Sequence, residues 1–156
     1  MLALYRSMSS LINDSVVRQG LIATRTPKVR YMRAVKKEIV KIIQTYVESA
    51  EDPIVISRDY LPPLFDATLG DYGRMVPPAR DAEVLSSTAA IIEKLRGLMT
   101  DKVQAILDAV FSCTLEMISQ DFSEYPEHRV GFFALIKAIN AHCFDGIALF
   151  NALDML

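Results

Sequence analysis

Two histidines and two aspartates in matching surroundings are the residues with which this chain could do chemistry. His128 stands in Glu127-His128-Arg129, close to Asp121 and Glu124. A metal or acid–base site there would want a second histidine at helical spacing, as in His-Glu-x-x-His. His142 is 14 residues further on, about 21 Å along a helix, so the two cannot share one ion. The charged cluster reads instead as the cap of a helix start, where carboxylates complement the dipole. His142, next to Cys143, reads as core or near-core. Asp66 and Asp108 share the context aliphatic–aliphatic/aromatic–Asp–Ala. Paired carboxylates can do acid–base work, but neighbouring helices would hold these about 10 Å apart, so each is expected to bond a nearby turn or hairpin. No Gly-rich phosphate loop, serine elbow or metal-spaced cysteines occur. The expectation is a protein that is not an enzyme, with no catalytic residue, cofactor or metal. A small helical enzyme built on Glu127 and His128 would require a deep pocket around them.

The other candidate is electrostatic. Between Arg25 and Lys41 there are seven basic residues against one acid, Glu38, whereas the whole chain carries −2. On a helix, Arg30, Arg33, Lys37 and Lys41 fall within an arc of about 80°. With Ile39 and Ile43 on the opposite side, the four cations are expected to form a continuous solvent-facing stripe. One reading is a solvated helix face; the functional one is a docking stripe for an acidic protein surface. A mildly acidic chain with one basic helix is not built to coat nucleic acid, and no direct nucleic-acid contact is expected.

The elements that must carry these residues are helices. The chain has 156 residues, 51% of them hydrophobic and 23% charged, and only six glycines, which suits one helical domain with a substantial core. No apolar run approaches the roughly 18 residues of a membrane span, so no membrane partner is expected. Cys113 and Cys143 sit on apolar faces and read as reduced core residues rather than a disulfide framework.

Taken in order, residues 1 to about 20 predict a helix with Leu4, Met8, Leu11, Ile12 and Val16 inward, beginning abruptly as though cut from something longer. Thr26-Pro27 starts a second helix to about Glu48, with Met32, Val35, Ile39, Ile42, Ile43 and Tyr46 inward. Asp52-Pro53 caps a helical turn, and Leu61-Pro62-Pro63 must break or kink what precedes it. Helix resumes over 64–72. Asp81 is expected to cap a helix to about Arg96, closed by a left-handed Gly97. Thr100 is expected to cap the next, which carries Val103, Ile106, Leu107, Val110, Phe111, Met117 and Ile118 on one face. After an acidic turn at 121–125, Pro126 opens a helix apolar on most sides, through Val130, Phe132, Phe133, Leu135, Ile136 and Ile139, which needs several neighbours. A last helix is expected from Ile147.

The most informative pattern is a repeat: Leu64-Phe65-Asp66-Ala67-Thr68-Leu69 returns as Ile106-Leu107-Asp108-Ala109-Val110-Phe111 at an offset of 42. Helical pairs recurring every ~40–47 residues match the HEAT and armadillo class of solenoid. The expected fold is all-α: a HEAT-repeat superhelix segment of about three hairpins in one domain, 1–156. Repeat one covers 1–49, repeat two 52–97 and repeat three 100–143, with 146–156 opening a fourth. One continuous hydrophobic seam should cross it. Apolar faces at its ends should make the isolated chain associate with itself.

Several runs are then familiar: Met32-Arg33-Ala34-Val35-Lys36-Lys37-Glu38, Asp52-Pro53, Leu61-Pro62-Pro63-Leu64-Phe65-Asp66-Ala67, Glu83-Val84-Leu85-Ser86, Phe111-Ser112-Cys113-Thr114-Leu115-Glu116-Met117-Ile118, Tyr125-Pro126-Glu127-His128-Arg129 and Asn140-Ala141-His142-Cys143-Phe144. In order and nearly end to end, they resemble the C-terminal third of the exportin-one (chromosome-region-maintenance) family of nuclear export receptors, in the importin-β or karyopherin superfamily. The resemblance implies a HEAT solenoid that binds leucine-rich export-signal cargo together with GTP-bound Ran GTPase, passes nuclear pore proteins, and shuttles between nucleus and cytoplasm. It also implies that the export-signal groove, with its reactive cysteine, lies in earlier repeats; neither Cys113 nor Cys143 matches that cysteine's context. What this segment would retain is scaffold and part of an inner surface near a Ran or cargo contact, with Arg30, Arg33, Lys37 and Lys41 as the candidate residues. The competing reading is an unrelated helical-repeat adaptor or trafficking scaffold.

Overall fold

A computed structural model describes residues 1–121 and 123–144; the helix expected from Ile147 lies outside them. Among the described residues there is no strand. The helices are α1 (Leu2–Gln19), α2 (Pro27–Ser49), the single turn α3 (Pro53–Val55), α4 (Leu61–Arg74), α5 (Glu83–Leu95), α6 (Val103–Gln120) and α7 (Pro126–His142). They stack in two layers. α1, α4 and α6 neighbour one another in one layer and α2, α5 and α7 in the other, each packed on its sequence partner. This is an all-α, HEAT-like solenoid segment.

Local chemistry sets most ends. Gly20, at φ 75°, stops α1 and donates its N–H to Val16, a conformation that only glycine adopts without strain. The Thr26 hydroxyl accepts from the Val29 N–H and Pro27 takes the first helical position. Asp52 accepts from the N–H groups of Ile54 and Val55, both at 3.1 Å. The Pro62-Pro63 pair does not break the chain into a loop. The preceding turn, Ile56–Tyr60, widens to a π-helix, which accommodates two missing donors and two ring clashes without ending the helical path.

Three expected caps are not made. Asp81 does not cap α5, which starts at Glu83 without a side-chain cap, because its carboxylate is engaged by α2. Arg96, not Gly97, takes the positive φ of 50°, and Gly97 falls within the 3-10 turn Arg96–Lys102. The Thr100 hydroxyl donates back to the Gly97 carbonyl at 2.9 Å, so α6 starts after that turn.

α6 buries the face expected of it, with Phe111 only partly covered, and α5 buries Val84, Leu85, Ala89, Ile91, Ile92 and Leu95. α1 and α2 are rotated relative to expectation. α1 buries Tyr5, Ser9 and Ile12 while Leu4 and Leu11 are exposed. α2 buries Val29, Met32, Lys36, Ile39, Val40 and Val47 while Val35, Ile42 and Tyr46 face outward. On α7, Val130 and Phe133 are exposed. The largest core runs from Val47 through α4, α5 and α6 to Cys143. Towards α1 the seam is interrupted: one cluster gathers Ile12, Val29, Met32, Met75 and Ala79, another Tyr5, Ile39, Val40 and Ala67. On α2 a lysine lies between them.

Candidate functional site

That lysine is Lys36, whose side chain is 1% exposed. Its ammonium lies 2.7 Å from Asp71 of α4 and 3.3 Å from Asp81 ahead of α5, and 4.7 Å over the ring of Tyr5 of α1. A buried ammonium is tolerated only when paired, and here three other segments supply the partners. Burial and the two carboxylates push the Tyr5 phenol far above its ordinary range. The periodicity of α2 did contain the signal, since Lys36 falls in phase with Val29, Met32 and Val40, but its charge grouped it with the basic run.

Arg33, one turn earlier, extends the pairing. Its Nε donates to Asp81 at 2.9 Å, and its terminal nitrogens donate to the carbonyls of Pro78 and Arg80 at 2.9 and 3.2 Å. Arg80 in turn donates to the Tyr72 and Cys113 carbonyls of α4 and α6. Arg129 donates to the Ile118 and Asp121 carbonyls at the end of α6. Arg33 and Arg80 fasten one hairpin to the next, and Arg129 ties α7 to the end of α6 within its own hairpin, where the last carbonyls lack helical partners.

The four expected cations therefore do not form one solvent-facing stripe. Arg33 is half-buried and committed to the next hairpin. Lys37 is half-buried, 3.6 Å from Glu83. Lys41 is exposed and pairs along its own helix with Glu38 at 3.4 Å. Arg30 is exposed and, with Lys37, lines a groove whose far wall holds Glu83 and Glu127. The surface these residues offer is a mixed-charge strip across α2, α5 and the start of α7.

His128 is buried rather than part of an open charged cap. Its Nε2 lies 2.9 Å from the Arg80 carbonyl; a carbonyl only accepts, so Nε2 carries the proton. Burial holds its pKa below the ordinary value, against the pull of that hydrogen bond. Its ring packs near Tyr72 and edge-on to Tyr125. Glu127, by contrast, opens onto the groove with Arg30. His142 pairs with Glu93 at 2.7 Å, and Cys143 is buried, which raises its thiol pKa. Asp66 makes an exposed ion pair with Arg6 at 2.7 Å while Asp108 bonds Gln104 of its own helix, so the structure does not bring the two aspartates together. Among the described residues no cluster of three potential metal ligands occurs, and no helix is long and apolar enough to cross a membrane.

Residues 1–154 match the protein family described as CRM1 C terminal. The chain belongs to that family. Similar proteins include "Exportin-1" of Schizosaccharomyces pombe, 53% identical over 147 residues, "Protein EXPORTIN 1B" of Arabidopsis thaliana, 48% identical over 147, and "Exportin-1" of Drosophila melanogaster, 41% identical over 145. Each match covers 92–94% of this chain but 14% of the relative, so the chain spans about one-seventh of the proteins it resembles. The match sets aside an unrelated helical adaptor. In this chain the hairpin stack and its arginine and lysine fastenings are the framework that carries the surface residues.

Proposed function

We propose that this chain is the C-terminal scaffold segment of a nuclear export receptor, one that carries leucine-rich export-signal cargo between nucleus and cytoplasm with GTP-bound Ran. The observation that carries the reading is the family match over residues 1–154, joined to a fold made of stacked helix pairs. Such stacks work as springs: each pair contacts only its neighbours, so small rotations add into a change of curvature. Hairpins 1–49, 52–97 and 100–143 are the units of that spring. Arg30 and Lys41, with Lys37 beside them, are the residues that meet an acidic partner surface. Arg33 serves the scaffold instead, since its donors are already taken by Asp81 and two carbonyls.

The test is a chimera in which this chain replaces the corresponding segment of the fission-yeast Exportin-1. Export of a leucine-rich reporter is the expected result; a folded chimera that exports nothing overturns the reading. In the same background, Arg30→Glu with Lys41→Glu should weaken pull-down of GTP-loaded Ran or of cargo. Unchanged pull-down of both would make the exposed cations a solvated face only.

A further inference from the structure

A cleft at the other end of α2 is not used by any part of this reading. Met1, Leu2, Ile43, Tyr46, Val47, Tyr60 and Leu64 line it, and it encloses about 310 Å³. That is the small end of the range for ligand pockets, about 300–1,000 Å³, so it suits a side chain or two. Two phenols guard its mouth. Tyr46 and Tyr60 are 50% and 49% exposed, with ring centroids 5.8 Å apart and planes tilted by 57°. Tyr60 is the last residue of the π-helical turn Ile56–Tyr60, so the same widening that admits Pro62-Pro63 places its ring beside Tyr46. Exposed tyrosines over an apolar floor have the composition of an interface hot spot, and π-turns recur at functional sites.

The surroundings say what kind of partner fits. From Glu48 to Asp59 there are four carboxylates and one cation, Arg58. Arg58 is held by Asp59 through two bonds of 2.7 and 2.9 Å and also feels Asp52, whose carboxylate caps Ile54 and Val55, so Glu48 and Glu51, both exposed, carry the net negative charge of the stretch. The last turn of α2 contains no basic residue, so the negative end of that helix adds to the same field. Ile54, 62% exposed, lies within the acidic stretch. We infer that the Tyr46–Tyr60 cleft is a docking site for a peptide that inserts one large apolar side chain between flanking lysines or arginines. The apolar anchor fills the floor, the phenols close over it, and the flanking cations meet Glu48 and Glu51 or stack on a phenol face.

The experiment uses a fluorescein-labelled peptide with one leucine between two pairs of lysines, titrated with the whole chain and read by anisotropy. Saturable binding is expected. It should weaken by about tenfold or more when Tyr46 becomes Ala, when alanine replaces the leucine, or when glutamates replace the lysines. Glu48→Lys with Glu51→Lys, both at exposed positions, should reverse the preference and favour the glutamate peptide; this variant decides the matter if Tyr46→Ala unfolds. Equal binding of lysine and glutamate peptides, or no loss with Tyr46→Ala in a folded variant, overturns the proposal. So does a sedimenting dimer that Tyr46→Ala converts to monomer, because a second copy would then be the occupant.

Discussion

The Tyr72 phenol and the Thr114 hydroxyl meet at 2.8 Å inside the core, and the 42 residues between them are the offset at which Leu64–Leu69 returns as Ile106–Phe111. At this buried pair, equivalent positions of successive hairpins touch, which sets α4 and α6 side by side. Gly73 tightens the same contact, since a Cβ there would stand 3.1 Å from the Ala109 carbonyl. Burial pushes the Tyr72 phenol up to about 12.

Removing one partner of this bond should cost more than removing both. Tyr72→Phe strands a buried hydroxyl and is expected to destabilise by about 1–3 kcal/mol, whereas Tyr72→Phe with Thr114→Val should recover part of that loss. Urea unfolding of the four species checks it; additive losses would contradict a direct coupling.

The Lys36 pairing carries a larger stake. Lys36→Met leaves Asp71 and Asp81 buried without their ammonium, an effect of about 3–5 kcal/mol for a broken buried pair. Adding Asp71→Leu should restore stability in part, because the carboxylate stranded by the first change leaves with it, while Asp81 keeps Arg33. Midpoints in urea report both steps, and a single variant as stable as the parent would show the cluster to be idle.

Arg33 and Arg30 should separate cleanly although both belong to the basic run. Arg33→Ala removes charge-assisted hydrogen bonds to Asp81 and two carbonyls, and a loss of about 1.5–3 kcal/mol is expected. Arg30→Ala is at an exposed position and should stay within about 0.5 kcal/mol of the parent. Thermal melts of the two variants provide the comparison.

Stability should fall on mild acidification through His128. Its folded pKa is depressed by burial, so below the unfolded value of about 6.5 the unfolded chain binds a proton that the folded chain resists. Its contribution is present above that pH and is lost as the pH drops from there towards the depressed folded value. His128→Gln should flatten this part of the stability profile, read by denaturation at several pH values; an unchanged slope would assign it to other groups.

Helix class, the caps at Thr26 and Asp52 and the helix start at Pro126 were legible in the residues, because each rests on local hydrogen bonding or on a period of one helix turn, and the 42-residue offset was legible because the motif itself recurs. The phase of α2 was not. Val35, Ile42 and Tyr46 are as apolar as the residues that went inside, and only the neighbours decide which face is covered. Likewise no local rule could tell that Asp81 would abandon its cap for Arg33 and Lys36, since both partners come from a helix more than forty residues earlier. The sequence by itself determined that helical pairs would stack. The tertiary structure alone decided that a lysine could sit at their centre, because an ammonium leaves water only where carboxylates from other segments of the chain converge on it.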